Sequence, residues 1–361
     1  MNLVKRFLDL PAFLIGVFFL YWSLPLAVLM NKVKFWKLNG KRNDARGWSV
    51  ALRNLFRVKM LRLPGPALFP GGCPVLFLSN HRSWADFYLD VVATDGNAQM
   101  LARMAVAYVF PMFMLAVCII RSVILFKRGK KVDHEEFNRM LEYKMAASPV
   151  DGLIVYPEGH RSIRCGSLPL KRGMLVFAFS RKMPVQIVMS ANKEAVISEK
   201  EMRCGFGQRV LVGYSEVIRS TDFKKVAAFT EAVQAEWDRQ WHRVYTADWS
   251  TAEELCCDGS DTREYSWRIK AMSVGSTLMI LYIFVSVLFC AYQLWVVWLS
   301  LFGPWGRHVA TLGVALWVSV SVARAFEPLQ LPRERAQTAA APPDITSGAA
   351  ALAGSSHVKT S

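Results

Sequence analysis

The stretch Pro74-Val75-Leu76-Phe77-Leu78-Ser79-Asn80-His81-Arg82-Ser83-Trp84-Ala85-Asp86 decides how the chain is read. Its first half is a short apolar run without polar alternation, which predicts a strand covered on both faces. Its second half breaks into a polar turn and then a helix over parts of 84–95. Strand ends of this kind are where open α/β sheets build their sites. On one straight helix an i, i+5 pair would point about 140° apart, but His81 in the turn and Asp86 in the first helical turn can meet. Asp86 then accepts from one imidazole nitrogen, and the other nitrogen is left to take a proton. Such a pair suits attack by a substrate hydroxyl on an already activated ester, with no nucleophilic Ser or Cys. The spacing alone occurs by chance in many chains, so its weight comes from its surroundings.

Outward from this stretch, short β-rich runs alternate with helical ones. Strands are expected at 74–79, 122–126, 153–157, 184–190 and 209–214, and helices over parts of 84–95, 98–117, 133–147, 171–182 and 221–243. Together they predict an α/β domain over 65–250 with a mostly parallel, covered sheet. A second polar cluster, Tyr156-Pro157-Glu158-Gly159-His160-Arg161-Ser162, closes the strand at 153–157. There a glycine lets the backbone approach a ligand, and a guanidinium can grip a phosphate with paired hydrogen bonds. The strand at 122–126 ends in Lys127-Arg128, and Leu168-Pro169-Leu170-Lys171-Arg172-Gly173 precedes a helix. Cationic groups beside three strand ends imply an anionic substrate or the phosphates of CoA, although any one of them taken singly is an ordinary solvated charge.

The apolar runs lie at both ends of the 361 residues, and mean hydropathy is +0.23. Residues 12–30 carry no charge and are followed by Lys32, Lys34 and Lys37 rather than a cleavage site, so an uncleaved anchor is expected. Pro11 and Pro25 bracket this run and favour a re-entrant or interfacial hairpin over a full span. From Arg42 to Lys59, Trp48, Ala51, Leu52, Leu55, Phe56 and Val58 share one helical arc, with Arg42, Arg46, Arg53 and Arg57 opposite. An interfacial helix and a helix capping the domain core both satisfy that pattern. Residues 1–64 thus form an N-terminal anchor with a basic amphipathic helix. Two apolar runs, 271–301 and 309–323, separated by a turn at 303–308, predict a transmembrane hairpin within 271–325. The Ala-, Pro-, Ser- and Thr-rich tail 331–361 is expected to be disordered.

The net charge of +16 is concentrated beside the first apolar run, where 12 Lys and Arg meet only Asp9 and Asp44 in residues 1–64. That placement points to membrane lipids and away from nucleic acid. The seven cysteines are scattered without a C-x-x-C, which reads as reduced thiols facing the cytosol.

With the motifs in place, the sequence resembles the glycerolipid acyltransferases of the lysophosphatidic acid (1-acyl-sn-glycerol-3-phosphate) acyltransferase type. The family's N-H-x4-D is matched by Asn80, His81 and Asp86. Its strand ending in Arg is matched by Phe126 and Arg128, with Ser122 in place of the usual Gly. F-P-E-G-T-R-S appears at 156–162 with Tyr156 for Phe and His160 for Thr. Lys171, Gly173 and the Pro184-led strand follow in the family's order, so the resemblance covers roughly 65–215.

The resemblance implies an N-terminal membrane-bound helical hairpin over 10–60, His81 as general base and Asp86 as its orienter. It implies that Arg161 binds the acceptor's phosphate, that Glu158 and Gly159 shape its loop, and that Arg128 and Lys171 assist. Acyl-CoA would be a cosubstrate, with no cofactor and no metal, and the product phosphatidic acid for phospholipid synthesis. Acylation of another lysophospholipid or of glycerol 3-phosphate, or CoA-independent transacylation, is the alternative, and a non-catalytic lipid-binding protein is a minor one. A cytosol-facing catalytic domain on the endoplasmic reticulum membrane is the expected location.

Overall fold

The computed structural model describes residues 3–32, 45–109, 122–126, 133–148, 150–163, 166–255 and 267–328. Along them run α1 (Leu3–Lys32), α2 (Ala45–Leu55), β1 (Lys59–Arg62), β2 (Val75–Ser79), α3 (Asp86–Ala93), β3 (Ala98–Arg103), α4 (Ala105–Val109) and β4 (Val123–Phe126). There follow α5 (His134–Ala146), β5 (Gly152–Val155), α6 (Gly173–Ser180), β6 (Pro184–Ala191), β7 (Ile197–Ser198), β8 (Arg203–Cys204), β9 (Arg209–Tyr214) and β10 (Ile218–Arg219). The chain continues through α7 (Val226–Tyr245), β11 (Glu253–Glu254), α8 (Trp267–Ser300) and α9 (Pro304–Ala325).

The main sheet has the order β11-β1-β9-β6-β2-β5-β3-β4, with β10 on the free stretch of β6. Pairings from β6 through β4 are parallel, as is β1 with β9, while β9 and β10 join β6, and β11 joins β1, antiparallel. The period of two along each strand divides its residues between two layers. On one side Val75, Phe77, Ile154 and Val188 pack against Phe13 and Leu20 of α1, Trp48 and Leu52 of α2, and Tyr88 and Leu89 of α3. On the other, Leu76, Leu78, Leu153, Val155 and Ile187 pack against Leu141 of α5, Phe177 of α6, and Phe229, Val233 and Trp237 of α7. Both faces are covered, so β2 and β6 are buried at every position. This is the architecture expected from the continuous apolar strands.

Several expectations change. Residues 98–103, rich in helix-favouring Ala, Gln, Met, Leu and Arg, form the strand β3 between β4 and β5 rather than a helix. Sheet pairing on both sides outweighs the small helix preference. The rest of the predicted helix is α4 together with 110–117, which lie outside the described residues. The sheet also reaches beyond 65–250, because β1 and β11 pair with each other at its edge.

α2 is a core-capping helix. Trp48 and Leu52 are buried, the Trp48 indole N–H donates to Ser23 Oγ of α1 at 2.9 Å, and Trp48 meets Tyr88 edge-on. Arg46 is buried with them and pairs with Asp95 at 2.8 Å. Trp48, Leu52, Phe56 and Val58 of the apolar arc are therefore covered by protein, while Ala51 and Leu55 stay exposed. α1 is one continuous helix through Pro11 and Pro25, so residues 12–30 do not turn back on themselves. It lies close on the domain, where a Cβ at Gly16 would come within 2.6 Å of Cys204 Sγ.

Among the described residues, three helices are long and apolar enough to cross a membrane: Leu3–Leu24, Leu281–Ser300 and Pro304–Ala325. They differ in cover, 44% of the first being buried inside the protein against 0% and 11% for the others. The connection between α8 and α9 is shorter than expected, because Pro304 opens α9 directly after Gly303, where its missing N–H costs nothing. α9 is fastened to α1 by Arg324 with Asp9 (2.8 Å), by Ser321 Oγ accepting from the Ala12 N–H (2.9 Å) and by stacking of Trp317 on Phe7. The predicted disordered tail, Arg128, Cys256 and Cys257 lie outside the described residues; Cys73, Cys204 and Cys290 are free thiols.

Candidate active site

β2 delivers Asn80 and His81 to the end of the sheet, and α3 begins five residues later with Asp86. Both Asn80 and Asp86 are buried. Asn80 is spent on structure: its amide bridges Ser190 of β6 through Nδ2 to the carbonyl (2.8 Å) and Oδ1 from the N–H (3.0 Å). This ties the turn to the neighbouring strand and leaves His81 to project from it.

His81 Nδ1 lies 2.7 Å from Asp86 Oδ2. The same carboxylate oxygen accepts the backbone N–H groups of Arg82 (2.7 Å) and Ser83 (3.1 Å). An oxygen holding three donors at the first turn of a helix is fixed in place, and so is the tautomer: Nδ1 carries hydrogen toward Asp86 and Nε2 is basic. The His81 side chain is 21% exposed, against 1% for Asp86. Burial lowers the His81 pKa below its usual value and outweighs the raising effect of Asp86. Asp86 is itself held low: burial acts to raise it, and Lys193, His81 and the Arg82 N–H together overcome that. At neutral pH the pair is thus imidazole and carboxylate, the state required of a general base and its orienter.

The second motif lies directly against the first. The Tyr156 ring stacks on the His81 imidazole at 4.1 Å between centroids, 17° from parallel. Glu158 Oε1 accepts the His81 N–H (2.9 Å), and the Ser162 N–H donates to the His81 carbonyl (2.9 Å). Burial pushes the Glu158 carboxyl up to about 7, against the lowering effect of the His81 N–H and Arg82. Gly159 has φ of +75°, a conformation open to glycine, and a Cβ there would press on Lys171 at 3.3 Å. The loop therefore brings Gly159 and Lys171 side by side.

Arg161 is close enough to act on His81 electrostatically, and its guanidinium lies over Trp84, 5.9 Å from the ring centre. Its Nε pairs at 3.0 Å with Glu199, a residue the sequence motifs did not signal. Six of the seven sequence-predicted site residues thus gather at one end of the sheet: His81 and Asp86 in direct contact, and Glu158, Gly159, Arg161 and Lys171 on the adjoining loop. Arg161 is already paired to a carboxylate, and Arg128 lies outside the described residues.

Sequence reading also missed Lys193, Asp90 and Glu194. Lys193 Nζ is 2.9 Å from both oxygens of Asp90 and 3.3 Å from Asp86 Oδ1. Glu194 pairs with Arg82 at 2.6 Å, beneath the rings of Trp241 and Tyr245. One signal was available locally: Asp86 and Asp90 stand four apart on an otherwise apolar helix, DFYLDVVA, and two buried carboxylates require a cation.

A family model described as Acyltransferase matches residues 36–190. A lyso-ornithine lipid O-acyltransferase from Brucella abortus (strain 2308) is 28% identical over 161 residues, 42% of this chain; the match spans 54%, about half, of that relative. The crystal structure of a 1-acyl-sn-glycerophosphate (LPA) acyltransferase from Thermotoga maritima superposes with a TM-score of 0.50 and 17% identity, over 66% of this chain and 95% of that one. At that identity the superposition speaks to fold alone, and it matches the covered, mostly parallel sheet. Over residues 36–190, under half of the chain, the sequence is similar to the Acyltransferase family model, and that match agrees with the order of its motifs.

Proposed function

We propose that the protein transfers a fatty acyl group from acyl-CoA to the free hydroxyl of lysophosphatidic acid, giving phosphatidic acid. The observation that carries this reading is the 2.7 Å contact between a partly exposed His81 and a buried Asp86. His81 Nε2 takes the hydroxyl proton as the oxygen attacks the thioester carbonyl. The tetrahedral intermediate collapses, the C–S bond breaks, and the imidazolium returns its proton to the departing CoA sulfur. Arg161 receives the acceptor's phosphate, which takes the place Glu199 holds beside the guanidinium, and Lys171 adds positive charge. Arg128 would assist there.

A second reading rests on Glu199. A carboxylate beside the anion-binding arginine suits an acceptor whose headgroup also carries an ammonium, and the match to a lyso-ornithine lipid acyltransferase is in keeping with it. The apolar α8 and α9 are proposed to cross the membrane as a hairpin, with the catalytic domain on the cytosolic face, where acyl-CoA is found. The endoplasmic reticulum is the membrane proposed.

The test is purified protein in mixed micelles with labelled acyl-CoA, offered lysophosphatidate, zwitterionic lysolipids and glycerol 3-phosphate in turn. Highest kcat/KM on lysophosphatidate, lost in His81→Ala, supports the first reading. Preference for a zwitterionic acceptor selects the second. Wild-type turnover by His81→Ala would sink both.

A further inference from the structure

The geometry points to Lys193 as a positioning residue for the transfer reaction: one buried ammonium anchors both supports of the His81 ring, the Asp86 carboxylate at its edge and the Tyr156 ring on its face. The inference rests on the proposed role of His81 as the base.

Lys193 opens a 3₁₀ turn, Lys193–Ala195, just past the end of β6, and its side chain is fully buried. Its Nζ donates to the Asn80 carbonyl at 2.7 Å and to Asp90 at 2.9 Å, and lies 3.3 Å from Asp86 Oδ1. The ammonium also reaches Ser79 Oγ at 3.4 Å, and it meets Asp86 as an ion pair. Asn80, Asp86 and Asp90 each belong to the support of one ring. Asn80 precedes His81 in the turn. Asp86 presents its other oxygen to His81 Nδ1. Asp90 accepts the Tyr156 hydroxyl at 2.9 Å, and the Tyr156 ring lies flat on the imidazole. The hydroxyl is available because Tyr156 stands where the family motif carries Phe, so the face support is tied to the lysine in this chain.

Burying a lysine with two carboxylates is a poor way to gain stability, since well-packed apolar side chains of similar volume commonly do as well or better. What the cluster supplies is fixed position and fixed charge. Facing the ammonium are Asp86 and Asp90 from α3, Tyr156 from the end of β5, and His81 from the turn. Arg82, Glu158, Arg161, Glu194 and Tyr245 of α7 lie in the next layer. Burial raises the Asp90 carboxyl to about 6 against the pull of Lys193, while Asp86 stays ionised.

The experiment compares wild type with Lys193→Met and with Lys193→Met/Asp90→Asn, which removes the cation and its second carboxylate together. If the single variant fails to fold, the double variant decides the question. The expected result for the double variant is near-native thermal stability and little change in KM for either substrate. Its kcat should fall on the order of 10²-fold, as for a catalytic group displaced by about 1 Å. The acid limb of its kcat/KM profile should move to higher pH, because the positive charge that lowered the His81 pKa is gone. A structural role alone would change stability and leave the pH profile in place. Wild-type kcat and an unmoved acid limb in a folded double variant would overturn the proposal. Retained activity in His81→Ala would instead overturn the reading on which it rests.

Discussion

Replacing Asp86 by Asn tests the central pair with the smallest change of shape. The oxygen at the Oδ2 position accepts from His81 Nδ1 and from the N–H groups of Arg82 and Ser83, so the amide oxygen of the variant must sit there. The tautomer of His81 survives. The amide NH2 is then left facing the Lys193 ammonium, donor against donor, where a carboxylate oxygen stood at 3.3 Å. Two effects follow. Lys193 keeps Asp90, so the stability loss belongs near the lower end for a broken buried pair, about 3 kcal/mol. In the transition state, the imidazolium loses its counter-charge. With charge centres about 4 Å apart and an effective dielectric of about 20, that is worth about 4 kcal/mol, or about 10³-fold in kcat. The assay is kcat at saturating acceptor with labelled acyl-CoA in micelles, beside a thermal melt that reports the folded fraction. A folded Asp86→Asn protein within about tenfold of wild-type kcat would mean that no imidazolium forms, and the base role of His81 would fall.

Other outcomes can be read from the same site. Because burial lowers the His81 pKa and the base must be neutral, activity should be lost as pH falls through a midpoint below 6.5; a midpoint above it refutes the assignment. Arg161→Ala should raise KM for a phosphate-bearing acceptor far more than KM for acyl-CoA, and Glu199→Gln should lower the former by freeing the guanidinium. Equal damage to both substrates by Arg161→Ala would give Arg161 a structural or CoA-binding role. Glu158 titrates near 7 in the folded protein and at 4.5 when unperturbed, so its charge costs stability as pH rises through that window. Glu158→Gln should therefore melt progressively higher than wild type from about pH 5 to pH 8, and a difference that does not vary with pH would contradict the burial of the charge. In sealed vesicles, tags in the catalytic domain and at residue 361 should be equally open to protease; protection of the second alone would replace the α8–α9 hairpin by a single crossing.

What the sequence determined by itself was local. β2, β5, β6 and β9 were legible because strands covered on both faces must be apolar at nearly every position, a pattern no exposed segment shares. His81 and Asp86 were legible as a pair because a strand end, a turn and a first helical turn fix their separation within a few residues. α8 and α9 followed from length and apolarity. Tertiary structure decided the rest. β3 reads as helix by composition, and only the strands on either side of it make it extended. The arc of Trp48 and Leu52 records that something apolar covers α2, and only the fold says that it is α1 and α3 rather than lipid. Arg161 reads as a free cation until the β7–β8 hairpin brings Glu199 to it. Lys193 lies 103 residues from Asp90 in the chain and touches it in the folded core. Periodicity reports which side of an element is buried, but an ion pair between distant segments leaves no period, so the charges behind the His81–Asp86 pair emerge only when the strand ends are brought together.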